Sequence, residues 1–341
     1  MVSERAQWVR RWRDQVLGLP NVVGCGWGEK RTRGRKTGQQ GMVVFVRRKV
    51  PAAALKARER VPAVLDARPT DVIEVGEVRL LVAPLPSPRT ARLRPAPPGV
   101  SLGHVAVTAG TFGAVVRDAK TGEPLILSNN HVIANQTTGD DGRAAVGDPV
   151  LQPGPYDGGT VERDVIGHLL RFVPVVPVAA VPACPVARGA QRVLNAALRL
   201  LLPRYQLQLV RLDDAENLVD GAVARPVAPD AITPRILEVG RVQGVAEAEV
   251  GMRVKKSGRT SGLTQGEVMA LGATLNVALG EGVVARFCDQ VVTSPLAQPG
   301  DSGSLVLDEG NRAVGLLFAG SPQATVCNRI QNVLAALDVQ F

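Results

Sequence analysis

Aromatic side chains are scarce in this sequence, which limits how the core is built and which partners suit it. Only 3% of the 341 residues are Phe, Trp or Tyr, although 45% are hydrophobic. The core must therefore be aliphatic, and an aromatic platform for stacking single-stranded nucleic acid is not expected. Gly and Pro are abundant, at 36 and 25 residues, and predict many turns, few long helices and a mainly β fold.

Cysteines and long apolar runs are also few. The four cysteines are far apart in the sequence, so neither a zinc site nor a disulfide-dense secreted scaffold is expected. The sequence leaves open whether Cys288 and Cys327 are bonded. No segment has the roughly 20 apolar residues of a membrane span, and residues 1–20 contain no signal-peptide hydrophobic region. We therefore expect a cytoplasmic protein without a membrane span.

Acidic residues are outnumbered, with 31 Asp and Glu against 40 Lys and Arg and a net charge of +9. An excess of this size can indicate nucleic acid or a membrane surface as partner. Here it consists mostly of scattered Arg, which keeps a surface soluble without forming a binding stripe. Nucleic-acid binding is therefore the weaker interpretation of the charge.

The distribution of residue types along the chain predicts three parts. Residues 1–84 read as a small α+β unit that begins with an amphipathic helix, and we expect this helix to pack on its own domain. Residues 85–99 form a stiff Pro/Arg-rich linker. Residues 100–341 contain short apolar runs separated by Gly, Asp and Asn, typical of a barrel or sandwich. Within them, residues 187–202 have helical periodicity and an apolar face that suits packing on the barrel or self-association.

The strongest local signal is the sequence QPGDSGS at residues 298–304. Gly300 allows the backbone to curl so that its amide and that of Ser302 point to one spot, which is the geometry of an oxyanion hole. Ser302 is then the candidate nucleophile, and Asp301 is expected to support the turn. The alternative is an ordinary polar turn, in which these residue types are common.

A serine nucleophile needs a base, and the chain has only three histidines. His131 follows the apolar run of LILSNNHVIA (125–134), so it would be held firmly while reaching a cleft, as a general base must be. We interpret His104 and His168 as structural.

A carboxylate must orient the base. Asp220, which precedes an alternating apolar run, is preferred, and Asp164 is its rival. The other aspartates considered are interpreted as turn or surface acids: Asp148, Asp157, Asp213 and Asp214.

The order His131, Asp220, Ser302 is that of the chymotrypsin class. Residues 100–341 resemble a trypsin-like (chymotrypsin-fold) serine protease: SNNHVIA is similar to the histidine motif of bacterial trypsin-like and HtrA-type enzymes, PGDSGS to the serine motif, and KKSGRTSGLTQGEV (255–268) to a structural hairpin of bacterial members. Nearly the full chain also resembles a bacterial group of such proteins with an extra N-terminal domain, related to the plant narrow-leaf regulators.

The resemblance implies two six-stranded antiparallel β-barrels of chymotrypsin type after a small α+β N-terminal domain. It implies an endopeptidase that hydrolyses protein or peptide substrates through an acyl-enzyme intermediate, with no metal or cofactor. Its catalytic residues would be His131, Asp220 and Ser302. Because relatives in the resembled group are oligomeric, it also implies a homo-oligomer.

The same resemblance implies details of the substrate site. The amides of Gly300 and Ser302 would form the oxyanion hole, and Leu296 and Phe318 would line a pocket for an apolar or small side chain. No Ile-Val-Gly-Gly activation sequence is present, so a new N-terminus pairing with Asp301 is not expected. The alternative function is a catalytically silent or latent protease-fold scaffold that acts by self-assembly and protein binding.

Overall fold

The computed structural model of the chain describes residues 4–32, 35–80, 88–107, 109–180, 184–202, 207, 209, 211–212, 215–280 and 283–341. Strands dominate these residues, which confirms the mainly β prediction. The α-helices within these ranges are α1 Glu4–Leu17, α2 Asn130–Ile133, α3 Val161–Asp164, α4 Pro185–Leu201 and α5 Ile330–Leu337. None of the helices in the described part is long and apolar enough to cross a membrane.

The strands are mostly short, as the frequent glycines and prolines predict. In chain order, those of the described residues are β1 Val22–Thr32, β2 Arg35–Val46, β3 Val64–Leu65, β4 Arg68–Glu74, β5 Arg79–Leu80, β6 Ser101–His104, β7 Gly110–Thr111, β8 Ala114–Asp118, β9 Pro124–Ser128, β10 Pro149–Leu151, β11 Val165–Phe172, β12 Ala179–Ala180, β13 Arg211–Leu212, β14 Ala222–Pro226, β15 Arg235–Ile236, β16 Gly240–Arg241, β17 Arg253–Gly258, β18 Gly262–Gly280, β19 Val283–Thr293, β20 Leu305–Asp308, β21 Ala313–Ser321, β22 Ala324–Arg329 and β23 Val339–Gln340.

The first large sheet contains eight of the described strands, in the order β23-β8-β9-β14-β11-β10-β6-β7. All of its pairings are antiparallel, and the C-terminal strand β23 returns to pair with β8. The core against this sheet is largely aliphatic, as the composition predicts, and includes Leu102, Ile126, Val150 and Ile166 beside one buried aromatic residue, Phe112.

The second large sheet contains thirteen of the described strands and follows β13-β12-β19-β22-β21-β20-β17-β18-β1-β2-β4-β3, with β5 paired to β18 and β21. Both barrel-like sheets exceed the six strands predicted for each barrel. The difference arises because short strands extend both sheets and the N-terminal strands β1 to β4 extend the second.

The N-terminal strands join the rest of the molecule through β1, which pairs with β2 on one edge and with β18 on the other. Glycines permit this approach: a Cβ added at Gly28 would lie 2.5 Å from Val43 Cγ2 and 2.6 Å from the Met269 carbonyl. Helix α1 covers the strands, because its Val9 and Val16 are buried in one cluster with residues of β1 and β2. The expectation that this helix packs on its own protein is confirmed.

Two further predicted segments can be located. The helix expected at 187–202 is confirmed as α4, and Val193 and Leu194 on it are 70% and 49% exposed. Of the predicted linker, residues 85–87 lie outside the described part. The remainder makes specific contacts, since Arg89 Nη1 donates to the Gly99 carbonyl and to Ser257 Oγ at 2.9 and 2.8 Å.

Candidate active site

His131 lies on the short helix α2, which begins directly after strand β9 ends. Its Nδ1 is 2.5 Å from Asp220 Oδ2, and its backbone amide donates to Asp220 Oδ1 at 3.2 Å. Both side chains are shielded, with exposures of 10% and 1%. A carboxylate in this position keeps the ring proton on Nδ1, so that Nε2 is the nitrogen able to accept a proton.

Asp220 is itself held by amide side chains that the sequence analysis did not select. Asn129 Nδ2 donates to the Asp220 carbonyl at 2.7 Å, and the Asp220 amide donates to Asn328 Oδ1 at 3.0 Å. Asn328 in turn donates to Gln290 Oε1 at 2.7 Å. The paired asparagines of SNNH were a signal, because a polar pair inside an apolar run must find partners when it is buried.

The other candidate acids lie elsewhere. Asp164, the rival, is 3.2 Å from Arg92 and accepts the Thr160 amide at 2.8 Å. Asp148 lies 3.0 Å from Nε2 of His104, which forms a second, separate His–Asp pair. Asp213 and Asp214 lie outside the described residues.

Asp157 and His168 differ in the solvent exposure of their side chains. Asp157 does lie in a turn, but its carboxylate is only 6% exposed because it binds Arg259. His168 is exposed on β11.

Ser302 lies in the turn at residues 298–304, close to the element that carries His131. A Cβ added at Gly110 would contact both Val132 and the Ser302 carbonyl oxygen, at 2.5 and 2.9 Å. Ser302 Oγ donates to the Phe318 carbonyl at 3.3 Å. His131 Nε2 is buried and has no hydrogen-bond partner among the described residues. The structure thus assembles the His–Asp pair and directs the serine hydroxyl to a backbone oxygen.

Glycine is required twice in this turn, since Gly300 and Gly303 both have φ = +94°. At Gly303 the space is also closed, because a Cβ would lie 2.3 Å from Ser128 Oγ. Within the described part of the chain, the amides of Gly300 and Ser302 donate to no protein acceptor. They are the two amides that the sequence assigns to an oxyanion hole.

Asp301 is fully buried and supports the turn, as predicted. Its carboxylate accepts the amides of Gln298 and Thr260, each at 2.9 Å, and lies 3.1 Å from Nζ of Lys256. Burial lowers the pKa of Lys256, although the negative charge of Asp301 opposes this shift. The sequence analysis missed Lys256, which supplies a buried cation beside this carboxylate.

The two residues assigned to a substrate pocket are both buried. Phe318 has zero exposure and packs on Phe287 with ring centroids 4.6 Å apart, whereas Leu296 is 4% exposed in a different hydrophobic cluster. It is the carbonyl of Phe318 that contacts Ser302. Their role toward substrate stays a prediction.

The cysteines near the site are not bonded to each other. Cys288 and Cys327 are both free and buried. Burial raises the pKa of Cys288 to about 11 and raises that of Cys327 further. Both are therefore protonated at neutral pH and are poor nucleophiles.

The named relatives that the chain matches are bacterial serine proteases. Serine protease 2 of Streptomyces fradiae is 40% identical over 80 residues, which cover 24% of this chain and 43% of the relative. Streptogrisin-A of Streptomyces griseus is 36% identical over 106 residues, covering 30% and 34%. The chain thus spans less than half the length of these relatives. No protein-family model matches the chain.

Solved structures that align with this chain include Thermobifida fusca Protease A, which is 17% identical with a TM-score of 0.44. A Nocardiopsis protease is likewise 17% identical, with a TM-score of 0.43. Each alignment covers 72% of this chain and 98% of the other. Scores of this size add nothing to the fold described above.

Proposed function

We propose that this protein is a serine endopeptidase that uses His131, Asp220 and Ser302. The observation that carries the proposal is the buried His131–Asp220 pair, in which Nδ1 and Oδ2 are 2.5 Å apart. Nε2 of His131 has no hydrogen-bond partner in the described part, and the helix that carries His131 adjoins the Ser302 turn. The match to bacterial serine proteases supports the same reaction class.

The reaction is acyl transfer to water. His131 Nε2 takes the proton from Ser302 Oγ as Oγ bonds to the carbonyl carbon of the peptide, and the amides of Gly300 and Ser302 stabilise the resulting oxyanion. His131 then gives that proton to the leaving amine as the C–N bond breaks. Water repeats the sequence on the acyl-enzyme and releases the acid, while Asp220 stabilises the imidazolium throughout.

One side-chain movement must precede the first step. Ser302 Oγ contacts the Phe318 carbonyl in the structure, so rotation about the Cα–Cβ bond of Ser302 is needed to bring Oγ to His131 Nε2. Staggered rotamers of an unbranched side chain interconvert readily, and catalytic hydrogen bonds often form fully only with substrate bound.

The test is intact mass after treatment with a fluorophosphonate. We expect one adduct on the wild type and none on Ser302→Ala, because only an activated serine reacts. His131→Gln and Asp220→Asn should label at least about 100-fold more slowly, as loss of a general base or its orienting group predicts.

The second His–Asp pair provides a matched control. His104 is more buried than His131, with 3% against 10% exposure of the side chain, and also contacts an aspartate. His104→Gln should therefore label like the wild type. Equal slowing of both glutamine variants would point to a structural effect instead. No adduct on the native protein would make the latent scaffold the better account.

Three further predictions remain part of the proposal. Protein or peptide substrates follow from the reaction class. Self-association through α4 is supported by the exposed Val193 and Leu194. Cytoplasmic residence is proposed from the sequence alone.

A further inference from the structure

The turn at residues 259–261, which joins β17 to β18, contacts the nucleophile turn through both backbone and side chain. Asp301 Oδ1 accepts the amides of Thr260 and Ser261 at 2.9 and 3.1 Å. The Thr260 hydroxyl donates to the Pro299 carbonyl oxygen at 2.7 Å. The hairpin that the sequence marks as structural therefore holds the peptide unit that precedes Gly300.

Arg259 decides which way the Thr260 hydroxyl points. Its Nη1 donates to Thr260 Oγ1 at 3.0 Å. A guanidinium has no acceptor, so Oγ1 must accept this bond and has its single proton left for Pro299. A hydroxyl that accepts from a cation is polarised and becomes a stronger donor.

Arg259 is in turn fixed from the first large sheet. Its side chain has zero exposure, and its Nε donates to Asp157 Oδ2 at 2.6 Å. The same oxygen accepts the hydroxyl of Ser101, on β6, at 2.5 Å. An ion pair held by this many bonds leaves the guanidinium little freedom, so the position of the Thr260 hydroxyl is set across both sheets.

Holding the Pro299 carbonyl fixes the next amide. The Pro299–Gly300 peptide bond is trans, and in a trans peptide the carbonyl and the following N–H point in opposite directions. The N–H of Gly300 therefore points away from the 259–261 turn. Since Gly300 has no side chain to restrain it and φ = +94°, this hydrogen bond limits rotation of the peptide unit.

We propose that Thr260 is a positioning residue for the oxyanion hole, anchored by the Arg259–Asp157 pair. The proposal rests on the proposed function, because it gives Thr260 a role through the amide of Gly300. A preoriented donor stabilises charge that develops only in the transition state. Loss of the orientation should therefore lower kcat and leave KM nearly unchanged.

The test compares Thr260→Val, Thr260→Ser and the wild type with p-nitrophenyl acetate as substrate. We expect Thr260→Val to lower kcat about 10-fold, less than the 10²–10³ lost when an oxyanion donor is removed outright. KM should change less than about twofold. Thr260→Ser keeps the hydroxyl and should restore kcat. The pH dependence of kcat/KM should not move, because the His131–Asp220 pair is untouched.

The control is Thr37→Val, which removes a hydroxyl that donates to the Lys30 carbonyl at 2.8 Å, far from the site in sequence and on an exposed hairpin. Its kcat should equal that of the wild type. If Thr260→Val unfolds, Thr260→Ala gives the same comparison without the branched side chain. A folded hydroxyl-free variant with wild-type kcat overturns the proposal, as does loss of activity in Thr260→Ser equal to that in Thr260→Val.

Fluorophosphonate labelling separates the two proposals. A wild type that does not label removes the proposed function itself. A wild type that labels at Ser302, together with hydroxyl-free variants that turn over substrate normally, removes only the role of Thr260.

Discussion

The ammonium group of Lys256 and the carboxylate of Asp301 lie 3.1 Å apart with no exposure of either side chain. Removing the cation would leave an uncompensated buried charge directly before Ser302. We expect Lys256→Met to lower the free energy of unfolding by about 3–5 kcal/mol, the usual effect of breaking a buried pair, and to slow fluorophosphonate labelling. Urea unfolding and intact mass measure the two effects.

The neighbouring lysine is a control for that substitution. Lys255 Nζ donates to the Glu309 carbonyl at 3.2 Å in an exposed position. Lys255→Met should therefore change stability by no more than about 0.5 kcal/mol, as expected for a surface substitution. Equal losses in the two variants would show that the pairing with Asp301 does not matter.

The sequence points to individual candidate residues where the chemistry is local. His131 and Ser302 both lie in short motifs whose turn geometry is dictated by their immediate neighbours. Lys256 was missed because its partner Asp301 is 45 positions away, and nothing in the local pattern marks a lysine in a strand as buried.

Strand β8 ends at Asp118, whose carboxylate closes the connection to β9. Asp118 Oδ1 accepts the amides of Lys120 and Thr121 at 2.9 Å each, and Oδ2 lies 2.7 Å from Arg171 Nη2. The Thr121 amide first, then Arg171 and the Lys120 amide, hold the pKa of Asp118 well below its usual range.

A folded-state pKa below the unfolded value of about 3.9 makes the carboxylate fully stabilising only above that pH. The stabilisation diminishes below it and is gone once the pH has fallen through the lower, folded-state pKa. Asp118→Asn should therefore unfold at lower urea concentration than the wild type at pH 7. The gap between the two midpoints should narrow near pH 3. Urea denaturation of both proteins at pH 7 and pH 3 measures the two midpoints.

Glu123→Gln serves as the comparison on the same hairpin. Glu123 and Arg225 form an exposed ion pair at 3.4 Å, with side-chain exposures of 52% and 58%. Such pairs contribute little, so its midpoint should follow the wild type at both pH values. A constant gap for Asp118→Asn from pH 7 to pH 3 would contradict the carboxylate argument.

At the scale of the whole molecule, the N-terminal strands share one sheet with the elements that carry Ser302. β1 pairs with β18 over residues 24–28, and Arg13 Nη1 donates to Cys288 Sγ at 3.5 Å. All three tryptophans of the chain lie within residues 8–27, so tryptophan fluorescence reports on the N-terminal part alone. Far-UV circular dichroism reports on the strands of the whole chain.

We expect the two signals to change together during urea unfolding, because a shared sheet makes the N-terminal part and the second sheet one cooperative unit. Two separated midpoints, with fluorescence changing first, would show instead that residues 1–84 unfold as an independent domain. The variant Trp27→Ala, which opens the cluster under α1, should lower both midpoints by the same amount.

Local sequence patterns were enough to predict the mainly β fold, the helices α1 and α4, and the two motifs that hold His131 and Ser302. These features depend on composition, periodicity and turn chemistry over a few residues, which the chain encodes locally. The sequence favoured Asp220 over Asp164 but did not indicate which of the two contacts the histidine.

The contacts between residues far apart in the sequence could be identified only in the folded protein. In the fold, Asp220 contacts His131 across 89 sequence positions, and Asp157 contacts Arg259 across 102. Strand β1 pairs with β18. Such contacts depend on how the sheets curve and join. The sequence around a carboxylate does not indicate whether a cation, a histidine or water will contact it. Pairing of this kind is a property of the assembled core, because burial decides which charges must find partners.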